Sequence, residues 1–406
     1  MTLTLDPKRL ARIRPWADGY VSERKLPGLS VLIRQADGEV FFDATGLRDV
    51  GGGAPFDRNT VARIYSMTKP VTSLALMMLI EEGMFTLDAS VSRFLPEFSE
   101  CCALIPGATS IDQTAPCAPP TLHQLLTHTS GLSYPFNMSL LSQAMAAQDI
   151  VFKANAGTLD AQCKATAALP LAFLPGTKWE YSVGIDIIGR VIEVVTGQSL
   201  GEVFAKRIFE PLGMTKTAFS VPAHLRGNFA HLYTPLSGDP MDLNRAQSGG
   251  DTLREVDTAD GSPFLNATLH SGGGGLVGTI DDYMRFADCL RRRGQGPDGP
   301  LISPSTADFM MANHLPGDIA SLGPSSFAEQ PMDGVGFSLA GAVVLDPARS
   351  RVPGSVGDFS WGGMASTFFW IDRVHDFSAV LFTQLSPSSS YPVRAELKAL
   401  VHGALT

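Results

Sequence analysis

Strand-like segments lie near both ends of this chain, whereas the middle shows helical patterns, and this arrangement limits the folds that the sequence can adopt. Near the amino end, residues 28–35 and 39–44 are rich in β-branched and aromatic residues and flank the turn 36–38, which predicts a hairpin. Near the other end, the same criteria predict three strands and a closing amphipathic helix: 337–345, 366–372, 377–384 and, for the helix, 392–404. Strands from both ends can pair in one antiparallel sheet flanked by helices, which predicts an α/β fold.

The middle of the chain is predicted to be an inserted, mostly helical domain. Residues 185–196 show helical periodicity and stop at Gly197, and residues 280–293 are a second helix candidate. We therefore expect two domains, an α/β sandwich over residues 1–95 and 281–406 and a helical insertion over residues 96–280. A cleft between two such parts is a usual place for a ligand site.

Charge, hydropathy and cysteine usage exclude several kinds of function. The formal net charge is -9 and the densest basic run is only Arg291–Arg293, so the basic face that nucleic-acid binding needs is missing. No apolar run approaches the roughly 20 residues that span a bilayer, and the first residues lack the apolar core of a signal peptide. The cysteine count is odd and without metal-ligand spacing, which favours a reducing compartment. We expect a cytoplasmic protein without a metal or organic cofactor, whose oligomeric state the sequence does not predict.

The segment Ser66-Met67-Thr68-Lys69 opens an apolar helical pattern that runs to Met84. A serine at a helix start lies where unpaired backbone N–H groups and the positive end of the helix dipole converge. Lys69 follows at i+3, so both side chains can share one face, and a lysine that is partly removed from water can act as a base. The alternative is an ordinary capping serine followed by an exposed lysine, which is how we interpret a second copy of the pattern at Ser22 and Lys25.

Tyr181 lies at a loop edge, just before the helix predicted at 185–196. A phenol in that position can present its hydroxyl to the cleft and relay a proton. The alternative is a buried ring with a bonded hydroxyl. Tyr134 has two similar interpretations, since it can line the cleft or only pack, whereas His128 is interpreted as a loop-bracing residue rather than a base.

Two adjacent glycines, Gly362 and Gly363, lie just before the strand predicted at 366–372. Glycines there permit a close approach of the backbone to a ligand. An oxyanion hole needs two N–H donors, and the backbone N–H groups of Ser66 and Met364 are the candidates. The alternative for the segment is a simple turn into the strand.

A different serine, Ser199, lies within Gly197–Gly201, which matches the G-x-S-x-G pattern of a nucleophile on a strand-to-helix turn. The preceding segment is predicted to be a helix, so the required strand is missing. Ser199 and Glu202 instead match a capping box for the next helix. We therefore predict Ser66, and not Ser199, as the nucleophile.

Three short elements occur in the order and approximate spacing of the serine β-lactamase-like superfamily: Ser66-Met67-Thr68-Lys69, Tyr181-Ser182-Val183 and Trp361-Gly362-Gly363. With the stretches LLTHTSGL and HSGGGGLVGTIDDYMRFA, they make the chain resemble the family VIII carboxylesterases, relatives of class C β-lactamases and penicillin-binding proteins. The resemblance implies Ser66 as nucleophile, Lys69 as its base partner and Tyr181 as the proton donor to the leaving group. It also implies an oxyanion N–H from Met364 and a helical domain inserted in a β-lactamase-like sandwich.

The chain departs from the β-lactamase pattern at two positions. The second element there ends in Asn, where this chain has Val183, and the third begins with Lys, where this chain has Trp361. The lysine holds the carboxylate of β-lactams and peptide C termini through strong charge-assisted bonds, and this site lacks it. An apolar and an aromatic residue favour neutral, apolar substrates instead. The predicted substrate-contacting residues are Trp361, Gly362, Gly363, Val183 and Tyr134.

The sequence therefore predicts a serine carboxylesterase that hydrolyses small, fairly apolar esters through an acyl-enzyme on Ser66, with a small-molecule ester as its partner and neither nucleic acid nor membrane. Three alternatives use the same nucleophile: a β-lactamase, a D-amino-acid peptidase and an acyltransferase to an alcohol. A binding protein that keeps the fold without the chemistry is the alternative from another class. Whether Lys69 or Tyr181 first takes the Ser66 proton stays open.

Overall fold

An antiparallel sheet built from both ends of the chain organises the structure. The computed structural model describes residues 3–238, 252–327, 330–339 and 341–406, and the backbone of residues 247 and 248. The sheet has eight strands: β1 (Gly28–Gln35), β2 (Gly38–Asp49), β3 (Ala54–Pro55), β4 (Val335–Phe337), β5 (Ala342–Val344), β6 (Phe359–Gly362), β7 (Phe368–Asp372) and β8 (Phe377–Thr383). They lie in the order β4-β5-β6-β7-β8-β1-β2-β3, so β8 pairs antiparallel with β1. The predicted sheet of strands from both ends is confirmed.

Both faces of the sheet are covered, because alternate residues of its central strands enter different cores. In β7, Phe369 and Ile371 belong to one core, while Phe368 and Trp370 belong to the other. All residues of β8 are buried. A strand that is buried on both faces has a continuous apolar sequence rather than an alternating one.

Helices cover both faces of the sheet, and most of the longer ones lie in sequence between strands β3 and β4. Among the described residues, eight α-helices have eight or more residues: α1 (Ile13–Ser22), α2 (Thr68–Glu81), α3 (Leu140–Ala147), α4 (Leu159–Ala167), α5 (Gly184–Thr196), α6 (Ile280–Arg291), α7 (Pro304–Met311) and α8 (Val393–His402). Helices α1 and α8 pack on the core of Trp370, and α2, α5 and α6 pack on the opposite core. None of the described helices combines the length and the apolar character that a membrane crossing requires.

Shorter elements complete the chain. Short helical segments lie at Pro7–Leu10, Tyr65–Met67, Val91–Arg93, Pro96–Phe98, Leu122–Leu126, Leu200–Phe204, Ala205–Phe209, Glu210–Leu212, Ala223–Asn228, Pro263–Leu265, Ile319–Ser321, Pro347–Ser350 and Ser388–Ser390. Two-stranded sheets, which the sequence did not predict, pair Ala62–Arg63 with Val277–Gly278, Cys102–Leu104 with Thr114–Pro116, Leu232–Thr234 with Arg254–Asp257, Leu236–Ser237 with Gln247–Ser248, and Ser326–Phe327 with Gln330–Pro331. The domain boundaries stay a prediction, and one core includes residues from both parts, such as Leu74 of α2 and Ile187 of α5.

Helix α2 differs from its sequence-based interpretation. The pattern predicted one apolar face, but every residue from Thr68 to Leu79 is buried. A helix that is apolar almost all round packs inside the protein rather than on its surface. Because this helix begins beside Ser66, the Ser66–Lys69 motif lies at the start of a helix whose first twelve residues are all buried.

The single strand predicted at 337–345 is wrong, since the segment contains the last residue of β4, a turn and the whole of β5. Strand β4 ends at Phe337 and β5 begins at Ala342, and Ser338 N–H donates to Gly341 O at 2.8 Å. A Cβ on Gly341 would lie 2.3 Å from the Phe359 ring, so only glycine fits the turn. The continuous apolar sequence showed no sign that the chain changes direction between the two strands.

Strand β6 is a second difference. The Trp361 segment was predicted to precede a strand, but Phe359–Gly362 is itself a strand that pairs with β5 and β7. Residues 363–367 then form the turn into β7, with Ser366 at φ 64°. Four residues, the last of them a glycine, give too short a pattern to predict a strand.

Candidate active site

Ser66 lies in the tight helical turn Tyr65–Met67 that leads into α2. Tyr65 has φ 41°, a left-handed conformation that costs a non-glycine residue energy and that recurs at functional sites. The first hydrogen bond of the turn runs from Met67 N–H to Ile64 O at 3.0 Å, so the Ser66 N–H precedes the helical ladder. The serine therefore presents both its hydroxyl and an N–H without an acceptor among the described residues at the start of a buried helix.

Lys69 is 0% exposed, and its ammonium group makes three hydrogen bonds. Nζ donates to Gly273 O at 2.6 Å, to the Tyr134 hydroxyl at 3.0 Å and to Ser66 Oγ at 3.2 Å. These three acceptors match the three donors of an ammonium. No carboxylate among the described residues forms an ion pair with Nζ. The exposed-lysine alternative is wrong for this copy of the motif, and the structure brings Lys69 to Ser66.

Tyr181 completes the arrangement at Ser66. Its hydroxyl donates to Ser66 Oγ at 2.7 Å, and Lys69 Nζ lies 4.6 Å from the centre of its ring. The main chain is fixed on both sides by the loop that begins at His128. Glu180 N–H donates to His128 O at 2.9 Å, and Ser182 N–H donates to His128 Nδ1 at 3.2 Å. Three side chains that the sequence predicted to cooperate therefore meet at one hydroxyl.

His128 braces this loop, as predicted. Its ring is fully buried and packs edge-on against the Tyr181 ring, with 4.7 Å between the centres. Burial and, to a smaller extent, the positive charge of Lys69 lower the pKa of His128 well below its ordinary value. The imidazole is thus neutral and accepts the Ser182 N–H, which holds the tyrosine segment in place.

Asp186 is a buried carboxylate beside the site that the sequence analysis missed. Its Oδ1 accepts hydrogen bonds from Ser271 Oγ at 2.5 Å and from Gly273 N–H at 3.0 Å. Burial raises the pKa of Asp186, against the opposing charge of Lys69 and these hydrogen bonds. An aspartate between Ile185 and Ile187 in an apolar helix was the available signal, because a charged group rarely lies on a buried face without a partner.

The segment after β6 approaches the serine turn closely. A Cβ on Gly363 would lie 2.3 Å from Ile64 O, so the glycine serves the packing of the protein against itself rather than against a ligand. The Gly363 N–H donates to Thr367 O at 2.8 Å and is not available to a substrate. Met364 N–H has no acceptor among the described residues. The N–H groups of Ser66 and Met364 thus remain the candidate oxyanion donors.

Aromatic rings form the wall of the site beyond Tyr181. The Trp361 ring stacks on Phe327 with 5.9 Å between the centres, and lies 5.6 Å from Tyr181. The buried Nε1 of Trp361 has no hydrogen-bond partner among the described residues. Tyr134 stacks on Phe136 with 4.9 Å between the centres. Such a wall offers mostly apolar surface to a substrate.

The other predicted substrate contacts are less open to the cleft. Val183 caps helix α5 and is 0% exposed, so its side chain presents no surface in this state. Gly362 ends β6, and a Cβ there would lie 2.6 Å from the Arg394 guanidinium. The role of both residues in substrate contact stays a prediction.

The alternative serines have structural roles. Ser199 caps the helix Leu200–Phe204 and forms a reciprocal capping box with Glu202, as predicted. Ser22 is exposed and donates to Gly19 O at 3.1 Å. Neither hydroxyl has a lysine or tyrosine partner like that of Ser66.

Two groups of side chains in the described chain have metal-ligand spacing. One combines Asp49, His231 and Glu255, and the other Asp358, Asp372 and His402. Each group is already internally paired, and neither includes a residue of the Ser66 site.

Comparisons with known proteins extend over the whole chain. The protein family described as Beta-lactamase matches residues 13–403. Esterase EstB of Burkholderia gladioli is 32% identical over 98% of this chain and 97% of its own length. Lovastatin esterase of Penicillium rubens is 31% identical, with 88% of each chain covered. A solved structure described as EstCE1, a hydrolase with promiscuous acyltransferase activity, has a TM-score of 0.79 and 26% identity over 98% of both chains. The similarity therefore includes the sheet, the segments that connect its strands and the elements that carry Ser66, Lys69 and Tyr181.

Proposed function

This chain belongs to the beta-lactamase family, and from that premise we propose that it is a serine carboxylesterase that forms an acyl-enzyme on Ser66. One observation carries the proposal: Ser66 Oγ lies 2.7 Å from the Tyr181 hydroxyl and 3.2 Å from Lys69 Nζ. A serine hydroxyl is a weak nucleophile until a neighbouring base takes its proton, and these two groups are within reach of that proton. The esterases EstB and lovastatin esterase are relatives over most of their length.

The reaction follows from the positions of these groups. In the reactive state Lys69 is a neutral amine. Ser66 Oγ attacks the ester carbonyl while its proton passes to that amine, and the negative oxygen that forms is met by the candidate N–H donors of Ser66 and Met364. The carbonyl then re-forms, the alcohol leaves with a proton from Tyr181, and the Lys69 proton restores the phenol. Water hydrolyses the acyl-enzyme through the same groups and releases the acid. General acid–base assistance contributes roughly 10²–10⁴-fold and one oxyanion donor roughly 10²–10³-fold.

The aromatic wall supports neutral, fairly apolar esters as substrates. Trp361 lies where β-lactamases carry a lysine, and its ring packs against Phe327 and Tyr181. This wall offers a substrate carboxylate no ammonium group, while it provides apolar surface for an acyl or alcohol group. We therefore expect higher kcat/KM for a short-chain ester than for a charged β-lactam such as nitrocefin.

The test replaces the nucleophile and keeps the rest of the site. Ser66→Ala should abolish hydrolysis of p-nitrophenyl butyrate and labelling by a fluorophosphonate probe, with an unchanged circular-dichroism spectrum. The matched control is Ser199→Ala, which removes a helix cap worth about 1 kcal/mol but no catalytic group, so it should retain activity. Undiminished hydrolysis by Ser66→Ala, or a peptide map that places the probe on another residue, would overturn the proposal. Mass analysis of products formed with added butanol separates hydrolysis from acyl transfer, which the relative EstCE1 also performs.

We further propose a cytoplasmic location. All five cysteines are free thiols, although Cys101, Cys102 and Cys117 are only partly buried. Thiols that stay reduced are typical of a reducing compartment. Fractionation followed by immunodetection of the native protein tests this location.

A further inference from the structure

When Lys69 is protonated, no carboxylate among the described residues pairs directly with its charge, although an ammonium inside a protein needs a counter-charge. The carboxylate of Asp186 lies nearby, but the backbone of Gly273 and the hydroxyl of Tyr134 separate it from Lys69 Nζ. We propose that Asp186 is a positioning residue that supports the charge on Lys69 through the backbone of Gly273 and the hydroxyl of Tyr134. Since this inference rests on the proposed ester hydrolysis, its test is separated below from the test of that function.

The backbone of Gly273 is the first link. Its N–H donates to Asp186 Oδ1 at 3.0 Å, and its carbonyl oxygen accepts from Lys69 Nζ at 2.6 Å. The two charged groups thus hold opposite ends of one residue. A Cβ on Gly273 would lie 2.2 Å from Asp186 Oδ2 and 2.9 Å from the Tyr134 hydroxyl, so no other residue fits between them.

The Tyr134 hydroxyl is the second link. It accepts from Lys69 Nζ at 3.0 Å, which leaves its own proton free to point elsewhere. Asp186 Oδ2 is buried and has no hydrogen-bond partner among the described residues. Burial, followed by the negative charge of Asp186, raises the pKa of Tyr134 well above its ordinary value, so the phenol keeps its proton. A neutral phenol between an ammonium and a carboxylate can donate to one while it accepts from the other.

The groups in contact with the pair are uncharged, which leaves Asp186 as the carboxylate linked to Lys69. The next charged groups are Arg190, Glu193 and Glu97, which act on Cys163, and Glu180, which is bonded to Ser133 and Asn137. The titratable groups packed around the pair are His128, Tyr134, Cys163 and Tyr181. Burial lowers the pKa of His128 and raises that of Cys163, so neither carries charge at neutral pH. When Lys69 takes the Ser66 proton, the new positive charge therefore forms beside one unscreened carboxylate. The aspartate of a Ser-His-Asp triad has a comparable role, since it orients the base and stabilises its charged form without taking the proton.

A purely structural role for Asp186 would have different consequences. Its bonds to Ser271 and Gly273 hold the glycine loop against α5, and that function depends on hydrogen bonding rather than on charge. Asn keeps the shape and one acceptor oxygen of Asp but has no charge. The variant Asp186→Asn therefore separates the two roles.

For Asp186→Asn we expect kcat/KM on p-nitrophenyl butyrate to fall roughly 10–100-fold, because the charged form of the base loses support. The acidic limb of the pH profile should move to a pH about 1 lower, since a nearby negative charge favours the protonated form of a base and its removal releases the proton sooner. The matched control is Asp282→Asn. Asp282 is also buried and accepts two hydrogen bonds, from Lys216 N–H and Thr217 Oγ1, but belongs to helix α6 and not to the site. The Asp282→Asn variant should leave the acidic limb of the pH profile unmoved.

A second variant tests the route. Tyr134→Phe removes one of the two links, so the pH shift caused by Asp186→Asn should be smaller in the Tyr134→Phe background than in the native protein. An unmoved acidic limb in a folded Asp186→Asn protein, with hydrolysis still abolished by Ser66→Ala, would overturn this inference alone. Full activity of Ser66→Ala would instead overturn the proposed function. A limb that moves to higher pH would contradict the assigned sign of the charge.

Discussion

Two buried lysines on opposite faces of the sheet are held in different ways. Lys398 of helix α8 is 5% exposed, and its Nζ lies 3.1 Å from Asp358 Oδ2. Lys69 is 0% exposed, yet it contacts only neutral oxygens, and its carboxylate acts through Gly273 and Tyr134. A direct ion pair fixes the proton on the lysine. An indirect one leaves a hydrogen-bonding direction toward Ser66, which is what a base needs.

The difference also follows from the neighbours of each lysine. Asp358 lies beside His402 at 3.6 Å, and Asp372 is 4.0 Å from the same ring, so several charges form a closed group. Around Lys69 the neighbours are phenols, a serine and a backbone carbonyl. This contrast supports a stabilising role for the first region and the proposed proton transfer for the second.

The largest expected effect comes from Lys69→Met, which keeps the length of the side chain and removes the amine. We expect kcat/KM for p-nitrophenyl butyrate to fall roughly 10²–10⁴-fold, since Ser66 loses its base partner. Stability should fall by about 1–3 kcal/mol, because Gly273 O and the Tyr134 hydroxyl lose their buried donor, and this is less than the loss of a direct ion pair costs. Kinetics and urea unfolding measure the two quantities. A large loss of stability with intact activity would reverse the assignment of the two lysines.

The same substitution at the other lysine should have the opposite result. Lys398→Met leaves Asp358 buried without its partner, and we expect the free energy of unfolding to fall by about 3–5 kcal/mol. Activity per folded molecule should stay unchanged. The double variant Lys398→Met with Asp358→Asn should recover part of the lost stability, because it no longer buries an unpaired charge. A stability loss equal to that of Lys69→Met would remove the contrast.

The contrast also shows what sequence can predict here. Lys69 was found because the serine lies at i-3 and an apolar helix follows, both of which are local patterns. Tyr181 and the Trp361 element were found from the order of the motifs along the chain. The pairing of Asp186 with Lys69 joins three separate segments, and no local spacing reports such a contact. Lys398 was placed on the closing helix, but nothing in its neighbourhood along the chain marks Asp358 as its partner.

The predictions of the fold show the same contrast between local patterns, which were recognised, and distant pairings, which were not. Helices α5 and α6 and strands β1, β7 and β8 were predicted close to their observed bounds, because each is a long periodic or continuous apolar run. Strand β2 was predicted only over 39–44 and continues to Asp49. The hairpin of β4 and β5 was predicted as one strand, because Gly336 and Gly341 interrupt an apolar run without a polar turn sequence. The two-stranded sheets of the middle depend on partners far along the chain, which a single sequence does not reveal.

The smallest expected effect is on the acid side of the stability curve, where the two aspartates should behave with opposite sign. Burial alone would raise the pKa of Asp358, but the charges of Lys398 and His402 and their hydrogen bonds lower it overall. A carboxyl with a lowered pKa in the folded state contributes stability above its unfolded pKa of about 3.9, and loses it as the pH falls through the folded value. The difference in unfolding free energy between the native protein and Asp358→Asn should therefore be largest near pH 6–7 and shrink below about pH 4.

Asp186 has a raised pKa in the folded state, so the sign is reversed. The folded protein binds the proton more tightly than the unfolded chain, and stability declines as the pH rises from the unfolded to the folded pKa. Asp186→Asn removes that decline and should not lower stability at neutral pH in the way that Asp358→Asn does. Urea unfolding of both variants between pH 3 and pH 7 measures the two slopes. Parallel slopes would mean that Asp186 is held like Asp358, as part of a fixed ion pair, and would remove the contrast between the two lysines.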